Sequence, residues 1–304
     1  MDIHCNLCGS KNYQRGYLIS GGLRYAKCNN CGLIFQCPMF SHKELIKIYK
    51  NFFNFRGQLR GKEDGYNNYE EERSQDVFRK YYLGWLNKYI TDKGSFLDFG
   101  CATGNLVELM IDEGHKAEGC EFSEEAISAL LKKKIPFWRC KDINKINKKY
   151  KYISMIDVIE HLEDPSEDLK KINLLLEDNG ILFIETVNSD DFFAKHVYKG
   201  DWQGISPTHL YLWGRKTLAR LLRKSGFRII KIETGKMSGS LISRITLTLL
   251  CWLIRAALIF VNKKEVFSDY WVKKLKNFVE DYKYSRYQFS FGDGLRVVAL
   301  KNRV

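Results

Sequence analysis

Residues Phe96–Glu108, FLDFGCATGNLVE, join a short apolar strand to an amphipathic helix through a turn with glycines at 100 and 104. Gly100 and Gly104 bracket Cys101-Ala102-Thr103, and Asp98 stands at the strand end where it can steady the turn. Two positions without a Cβ let bare backbone and its N–H groups approach a nucleotide-like ligand. The turn alone fits any dinucleotide, so the residues that follow must narrow it.

From Ser95 onward strand and helix patterns alternate, which predicts a mostly parallel sheet with helices on both faces. Strands are expected at Phe96–Phe99, Lys116–Glu121, Pro136–Arg139, Tyr152–Asp157, Gly180–Thr186, Phe227–Glu233 and Leu295–Leu300. Between them lie apolar helix faces: Ala126, Ile127, Leu130 and Leu131, then Leu169, Ile172, Leu175 and Leu176, then Leu218, Leu221 and Leu222. Gly180 and Gly226 read as helix stops. Glu121 ends the second strand seventeen residues after Gly104, where a carboxylate accepts hydrogen bonds from both ribose hydroxyls. Asp142, after the third strand, is a candidate for the adenine amino group. Asp157-Val158-Ile159-Glu160-His161-Leu162 closes the fourth strand at the edge where open α/β sheets bind ligands, which makes Asp157 and Glu160 further cofactor candidates.

Ahead of this core stand Cys5-Asn6-Leu7-Cys8-Gly9 and Cys28-Asn29-Asn30-Cys31-Gly32, two CxxCG knuckles nineteen residues apart. Four thiolates so spaced make the closed tetrahedral shell of a structural zinc, with no open position for chemistry. Two redox dithiols are the competing reading, but the surroundings lack a thioredoxin-like pattern. Cys37 stands just outside the set. The polar start Met1-Asp2-Ile3-His4 and the odd count of nine cysteines fit a reducing cytoplasm.

With 45% hydrophobic residues and four prolines in 304, the chain has the composition of a folded protein. Its net charge of +13 suits nucleic acid, anionic lipid or a phosphorylated substrate, and equally a surface biased towards lysine. A short helix is expected from Ser41 to Lys50, and another from Tyr69 to Ile90 with Val77, Phe78, Tyr81, Tyr82, Trp85, Leu86 and Tyr89 on its apolar face; Tyr69 and Arg73 could reach the cofactor mouth.

FLDFGCATG, the acidic strand end at Glu121, DVIEHLEDP and NGILFIETVN together resemble class I S-adenosylmethionine-dependent methyltransferases, most closely the branch with the ubiquinone-type O-methyltransferases. The knuckles in front and His209-Leu210-Tyr211 in PTHLYLW behind also resemble zinc-bearing sugar C-methyltransferases. Those proteins carry a further C-terminal α/β domain for which this chain is too short, so sugar C-methylation does not simply carry over. Ala102 stands where the family often has glycine. The resemblance implies a seven-stranded Rossmann-like sheet and S-adenosyl-L-methionine as methyl donor, held by Asp98, Gly100, Cys101, Gly104, Glu121, Asp142, Asp157 and Glu160. An oxygen or carbon acceptor must also lose a proton, and histidine suits that role. His209 and His161 are the candidate bases, with Tyr211 beside them; His196, among aromatics, reads as packing. The absence of an Asn/Asp-Pro-Pro-aromatic turn after the fourth strand argues against base N-methylation. An RNA methyltransferase of another kind, or a binding protein that lost catalysis, remain the rival readings.

Before the last strand, Leu241–Val261 is apolar, with only Arg244 and Arg255 charged, and the uncharged run between them is too short to span a bilayer. On a helix Ser240, Arg244, Thr248, Cys251, Arg255 and Asn262 form one narrow polar stripe. Its apolar surround needs a membrane interface, a dimer partner or a greasy substrate to cover it. Lys273, Lys274, Lys276, Lys283 and Arg286 follow, as for a helix resting on anionic head groups. The chain thus divides into a zinc ribbon at 1–36, a helical connector at 37–90, the cofactor-binding core at 91–235, a helical insertion at 236–290 and the last strand at 291–304. A small-molecule, sugar or lipid-linked acceptor, peripheral membrane contact through 240–262 and a homodimer are the expected partners; nucleic acid is disfavoured.

Overall fold

The computed structural model describes residues 3–20, 22–48, 79–191, 204–234 and 294–302. Seven strands form the main sheet: β4 (Ser95–Phe99), β5 (Lys116–Glu121), β6 (Phe137–Arg139), β7 (Tyr150–Ile156), β8 (Leu176–Val187), β10 (Phe227–Thr234) and β11 (Gly294–Lys301), in the order β10-β11-β8-β7-β4-β5-β6. The pairs β4–β5, β4–β7, β5–β6 and β7–β8 are parallel, and β10–β11 is antiparallel. The chain starts in the middle at β4, runs out to β6 and returns to β7 on the other side. That reversal places a ligand crevice at the carboxyl ends of β4 and β7.

The central strands are apolar on both faces, as parallel strands covered by helices must be: Phe96, Leu97, Ile153, Met155, Leu182, Phe183 and Ile184 are all fully buried. Helices α1 (Asn105–Asp112), α2 (Glu124–Lys133), α3 (Pro165–Leu175) and α4 (Arg215–Lys224) lie between strands. Their starts are written locally. Ser123 Oγ accepts from Ala126 N at 3.4 Å, and Asp164 Oδ1 accepts from Glu167 N at 3.0 Å with Pro165 opening the helix. α4 follows Gly214, which has no side chain to cap it, and takes a carboxylate from afar: Asp190 Oδ2 accepts from Arg215 N at 2.7 Å.

Two expectations need correction. Gly180 does not stop a helix: α3 already ends at Leu175, because Leu176 pairs with Tyr150 of β7, and the chain then turns through Asn179 at φ 63°. Gly226 does follow α4, two residues past its end. On α2, Ala126, Ile127 and Leu130 are buried while Leu131 is 61% exposed, since the next 100° step carries it off the packed stripe.

A second sheet runs β1 (Tyr13–Ser20), β2 (Leu23–Cys28), β3 (Ile34–Gln36) and β9 (Tyr211–Leu212). Its fourth strand comes from much later in the sequence, with Ile34 opposite Leu212 and Phe35 opposite Tyr211. Residues 42–48 are helical, and a π-helical turn at Arg79–Leu83 leads into Gly84–Leu86.

His115 is buried between Phe96 and Tyr152, with its Nδ1 accepting from Gly94 N at 3.4 Å. Burial, followed by the nearby Lys93, lowers its pKa below the ordinary 6.5. The unfolded chain therefore takes up a proton first as pH falls, so this contribution is complete above about pH 6.5 and is lost below it. Urea midpoints at pH 7.5 and 5.5 should fall further in the native chain than in His115→Phe; equal falls would contradict this.

Candidate functional site

The turn after β4 is shaped by its backbone. Gly100, Ala102 and Gly104 all have positive φ, at 79°, 48° and 82°. A Cβ on Gly100 would stand 2.4 Å from Val158 Cγ2, and one on Gly104 would stand 2.4 Å from Ile135 Cδ1. Both positions therefore need glycine for space as well as for conformation. Ala102 accepts the left-handed region at a cost of about 1 kcal/mol. Gly100 N and Cys101 N both donate to Cys120 O, at 2.8 and 3.2 Å, which folds the turn over the end of β5. Cys101 is buried, and burial raises its thiol well above the usual range, so it fills space as a neutral group.

Glu121 locks this turn from the neighbouring strand. Its Oε2 accepts from Ala102 N at 2.7 Å, and its Oε1 accepts from Phe122 N and Ser123 N at 2.8 and 2.9 Å. Burial raises its pKa, and the three N–H donors oppose that rise. Two carboxylate oxygens offer about four acceptor positions, so capacity remains for a ligand hydroxyl. Asp98 is buried under the turn, its Oδ1 accepting from Ser154 Oγ at 2.6 Å. Asp142 is carried on the 3-10 turn Cys140–Lys145, and its side chain lies outside the described part of the structure.

Across the crevice, Asp157 follows β7 in the left-handed region at φ 54° and donates its N–H to Glu185 O at 2.9 Å. The chain then carries Val158 against Gly100 and delivers Glu160 and His161. Leu210 N and Tyr211 N both donate to Glu160 O, at 2.8 and 3.3 Å, and Trp213 Nε1 donates to Ile159 O at 3.4 Å. These bonds stitch the 204–213 segment to the loop after β7 and bring the two candidate bases together, with ring centroids 4.7 Å apart and edge to face.

The tautomers follow from the partners. His209 Nδ1 lies 2.8 Å from Gly204 O, and His161 Nδ1 lies 2.8 Å from Thr208 O. A carbonyl can only accept, so each neutral ring carries its proton on Nδ1 and its lone pair on Nε2. Burial and then His161 push the His209 pKa down to about 4, while the same burial pushes Glu160 up to about 7. Glu160 Oε2 accepts from Thr186 Oγ1 at 2.8 Å, and its buried Oε1 has no hydrogen-bond partner among the described residues. One ligand atom each from Glu160, His161 and His209 lies within 4.8 Å of the others, a spacing that a cation can bridge.

Glu160 therefore sits with the histidines, fully buried, instead of facing the cofactor turn. Tyr211 also needs correction. It belongs to the two-residue β9, so its side chain turns into the second sheet, where Oη donates to Glu163 O at 3.1 Å and meets Asn6 Nδ2. Fully buried against Trp213, its side chain holds structure and stands apart from the histidine pair.

The four knuckle cysteines converge. Cys5 Sγ and Cys31 Sγ are 3.5 Å apart, as are Cys8 Sγ and Cys28 Sγ, and all four sulfurs lie within 4.8 Å of one another. A tetrahedral zinc with bonds of about 2.3 Å needs sulfurs about 3.8 Å apart, so the shell fits. Gly9 N and Gly32 N donate back to Cys5 O and Cys28 O at 2.7 and 2.9 Å, closing each knuckle. Lys224 Nζ of α4 donates to Leu7 O at 2.8 Å, fastening the first knuckle to the core. Purified protein should contain stoichiometric zinc, and a strong chelator should remove it and lower the melting temperature. Metal-free protein with an unchanged melting curve would rule the zinc out.

Tyr69, Arg73, His196 and residues 240–262 lie outside the described residues. No helix among the described residues is long and apolar enough to cross a membrane. Three supporting side chains gave no pattern in the sequence: Ser154 under Asp98, Thr186 on Glu160, and Tyr25. Tyr25 Oη, on β2, stands 2.9 Å from Ser206 O and 2.8 Å from His209 O.

A family model described as Methyltransferase domain matches residues 69–232. A ubiquinone biosynthesis O-methyltransferase from Coxiella burnetii is 28% identical over 169 residues, covering 47% of this chain and 71% of that protein. Among solved structures, Haemonchus contortus phosphoethanolamine N-methyltransferase 2 in complex with S-adenosyl-L-methionine aligns with 89% of this chain and 62% of its own, at 16% identity and a TM-score of 0.50. A SAM dependent methyltransferase from Archaeoglobus fulgidus aligns with 76% and 97%, at 18% identity and a TM-score of 0.48.

Proposed function

Because the chain belongs to the methyltransferase-domain family, we propose that it methylates an oxygen or carbon of a small-molecule, sugar or lipid-linked acceptor, with His209 taking the acceptor's proton. S-adenosylmethionine is the methyl donor. Its sulfonium methyl is already activated, so the protein has to align it with the acceptor and exclude water. On this reading the turn from Gly100 to Gly104 and Glu121 hold the adenosine end, next to the loop that carries the histidines.

For a hydroxyl acceptor, the oxygen–methyl bond forms as the methyl–sulfur bond breaks. The hydroxyl proton passes to His209 Nε2, leaving S-adenosylhomocysteine and the methyl ether. A lone imidazolium would be disfavoured at this partly buried position beside His161. Glu160 offsets that, because its carboxylate is the charge partner an imidazolium lacks in the resting state. The observation that carries this reading is the His209 tautomer, fixed by Gly204 O, in one cluster with Glu160, whose Oε1 is orphaned. The O-methyltransferase name of the Coxiella burnetii relative supports oxygen as the acceptor atom.

A second reading is favoured by the same orphaned oxygen. Glu160 and the two imidazoles would hold a divalent cation, which would acidify a hydroxyl placed beside it. Turnover that survives exhaustive chelation of exchangeable metal supports the proton-acceptor reading; loss restored by magnesium or manganese supports the cation. The main reading is tested by incubating the protein with methyl-labelled S-adenosylmethionine and a panel of catechols, sugars, nucleotide sugars and RNA. Label is expected in a small-molecule hydroxyl or carbon product, and label only in RNA would overturn it.

A further inference from the structure

We propose that Tyr25 is a positioning residue through which the N-terminal cysteine ribbon holds the loop that presents His209; this rests on the reading of His209 given above. The loop from Gly204 to Leu210 has little regular structure of its own. His209 N donates to Ser206 O at 3.0 Å, closing a turn, and Ser206 Oγ and Thr208 Oγ1 are 2.9 Å apart. Besides the bonds to the loop after β7, the turn is fixed in space from the ribbon side.

Tyr25 is fully buried with Ile34, Ile205 and Leu212, and its hydroxyl reaches the carbonyls at both ends of the turn. A phenol has a single proton, so that proton is shared between Ser206 O and His209 O. Two further bonds come from the adjacent strand. Gln36 Nε2 donates to Pro207 O at 3.3 Å, and Gln36 N donates to Leu210 O at 2.8 Å. The pairing of Ile34 and Phe35 with Leu212 and Tyr211 continues the same clamp.

Each of these groups belongs to the strands that carry or follow the knuckles. Tyr25 and Cys28 share β2, so a metal that holds Cys28 also holds the strand bearing the phenol. Burial pushes the Tyr25 phenol well above its ordinary range, so the proton stays on oxygen and the hydroxyl remains a donor. The ribbon thereby acquires a function that a closed four-thiolate shell could not supply by chemistry. It sets the direction of the His209 ring, whose Nδ1 bond to Gly204 O depends on the shape of the same turn.

The test uses full-length Tyr25→Phe, which keeps the ring and deletes the hydroxyl. With an accepted substrate, kcat should fall at least about tenfold, towards the ~100-fold that a misplacement of about 1 Å costs. KM for S-adenosylmethionine should stay unchanged. In protein labelled with 15N-histidine, the His209 ring signals, assigned by their loss in His209→Gln, should move while those of His115 stay. Gln36→Met, which removes the Pro207 bond and the acceptor for Phe40 N and keeps the strand pairing, should show the same split and carries the test if Tyr25→Phe does not fold. A folded variant with native kcat and native His209 ring signals overturns the proposal, and so does a lower melting temperature with both unchanged. If His209→Ala retains full turnover, the base assignment fails, and the ring signals in Tyr25→Phe still decide the clamp.

Discussion

Replacing His209 with alanine should lower kcat by about 100- to 10,000-fold, the range that a positioned general base contributes, while S-adenosylmethionine binds as before. The expectation rests on the separation of the two halves of the site. His209 is held by Gly204 O, Tyr25 and the bonds from 210 and 211 to Glu160 O, whereas the cofactor turn is held by Cys120 O and Glu121. Calorimetric titration with S-adenosylhomocysteine and steady-state turnover on one preparation check it. Equal loss of binding and turnover would show that His209 supports the cofactor site instead. His209→Gln should be nearly as inactive, because an amide keeps hydrogen bonding and lacks a basic nitrogen.

Glu121→Ala should act on the opposite step. A hydrogen bond from a ribose hydroxyl to a carboxylate contributes about 1.5–3 kcal/mol, or ~10- to 100-fold in affinity. Loss of the carboxylate also releases the N–H groups of Ala102, Phe122 and Ser123, so the turn itself should loosen. Glu121→Gln keeps the volume and an acceptor oxygen and should fall between the two. Dissociation constants for S-adenosylhomocysteine within twofold of native in both variants, in folded protein, would remove Glu121 from the cofactor site.

The core was legible because its signals are local or periodic. The strands around Phe96, Ile153 and Phe183 are apolar on both faces, Ser123 and Asp164 announce their helices, and the glycines at 100 and 104 mark a turn that no side chain could enter. The knuckles were legible for the same reason, since each fits into four residues. Partnerships made by tertiary packing were not. Nothing near Tyr25 in sequence points to residue 209, and β9 is only two residues long, too short for any periodicity to reveal that Tyr211 faces the ribbon. Glu160 looked like a cofactor contact because it follows β7; its burial beneath Thr186 and His209 depends on a segment some fifty residues later that folds back over the loop. Even Gly180 misled for this reason, since a strand pairing at Leu176 ended the helix before the glycine was reached.

The most direct test of the account follows a labelled methyl group from S-adenosylmethionine into a small-molecule extract freed of protein and nucleic acid, with native protein and His209→Ala side by side. The account predicts a labelled, base-stable small-molecule product with the native chain and almost none with the variant, although both bind S-adenosylhomocysteine. Label of equal intensity with the two proteins, or none with either despite tight binding, would contradict it.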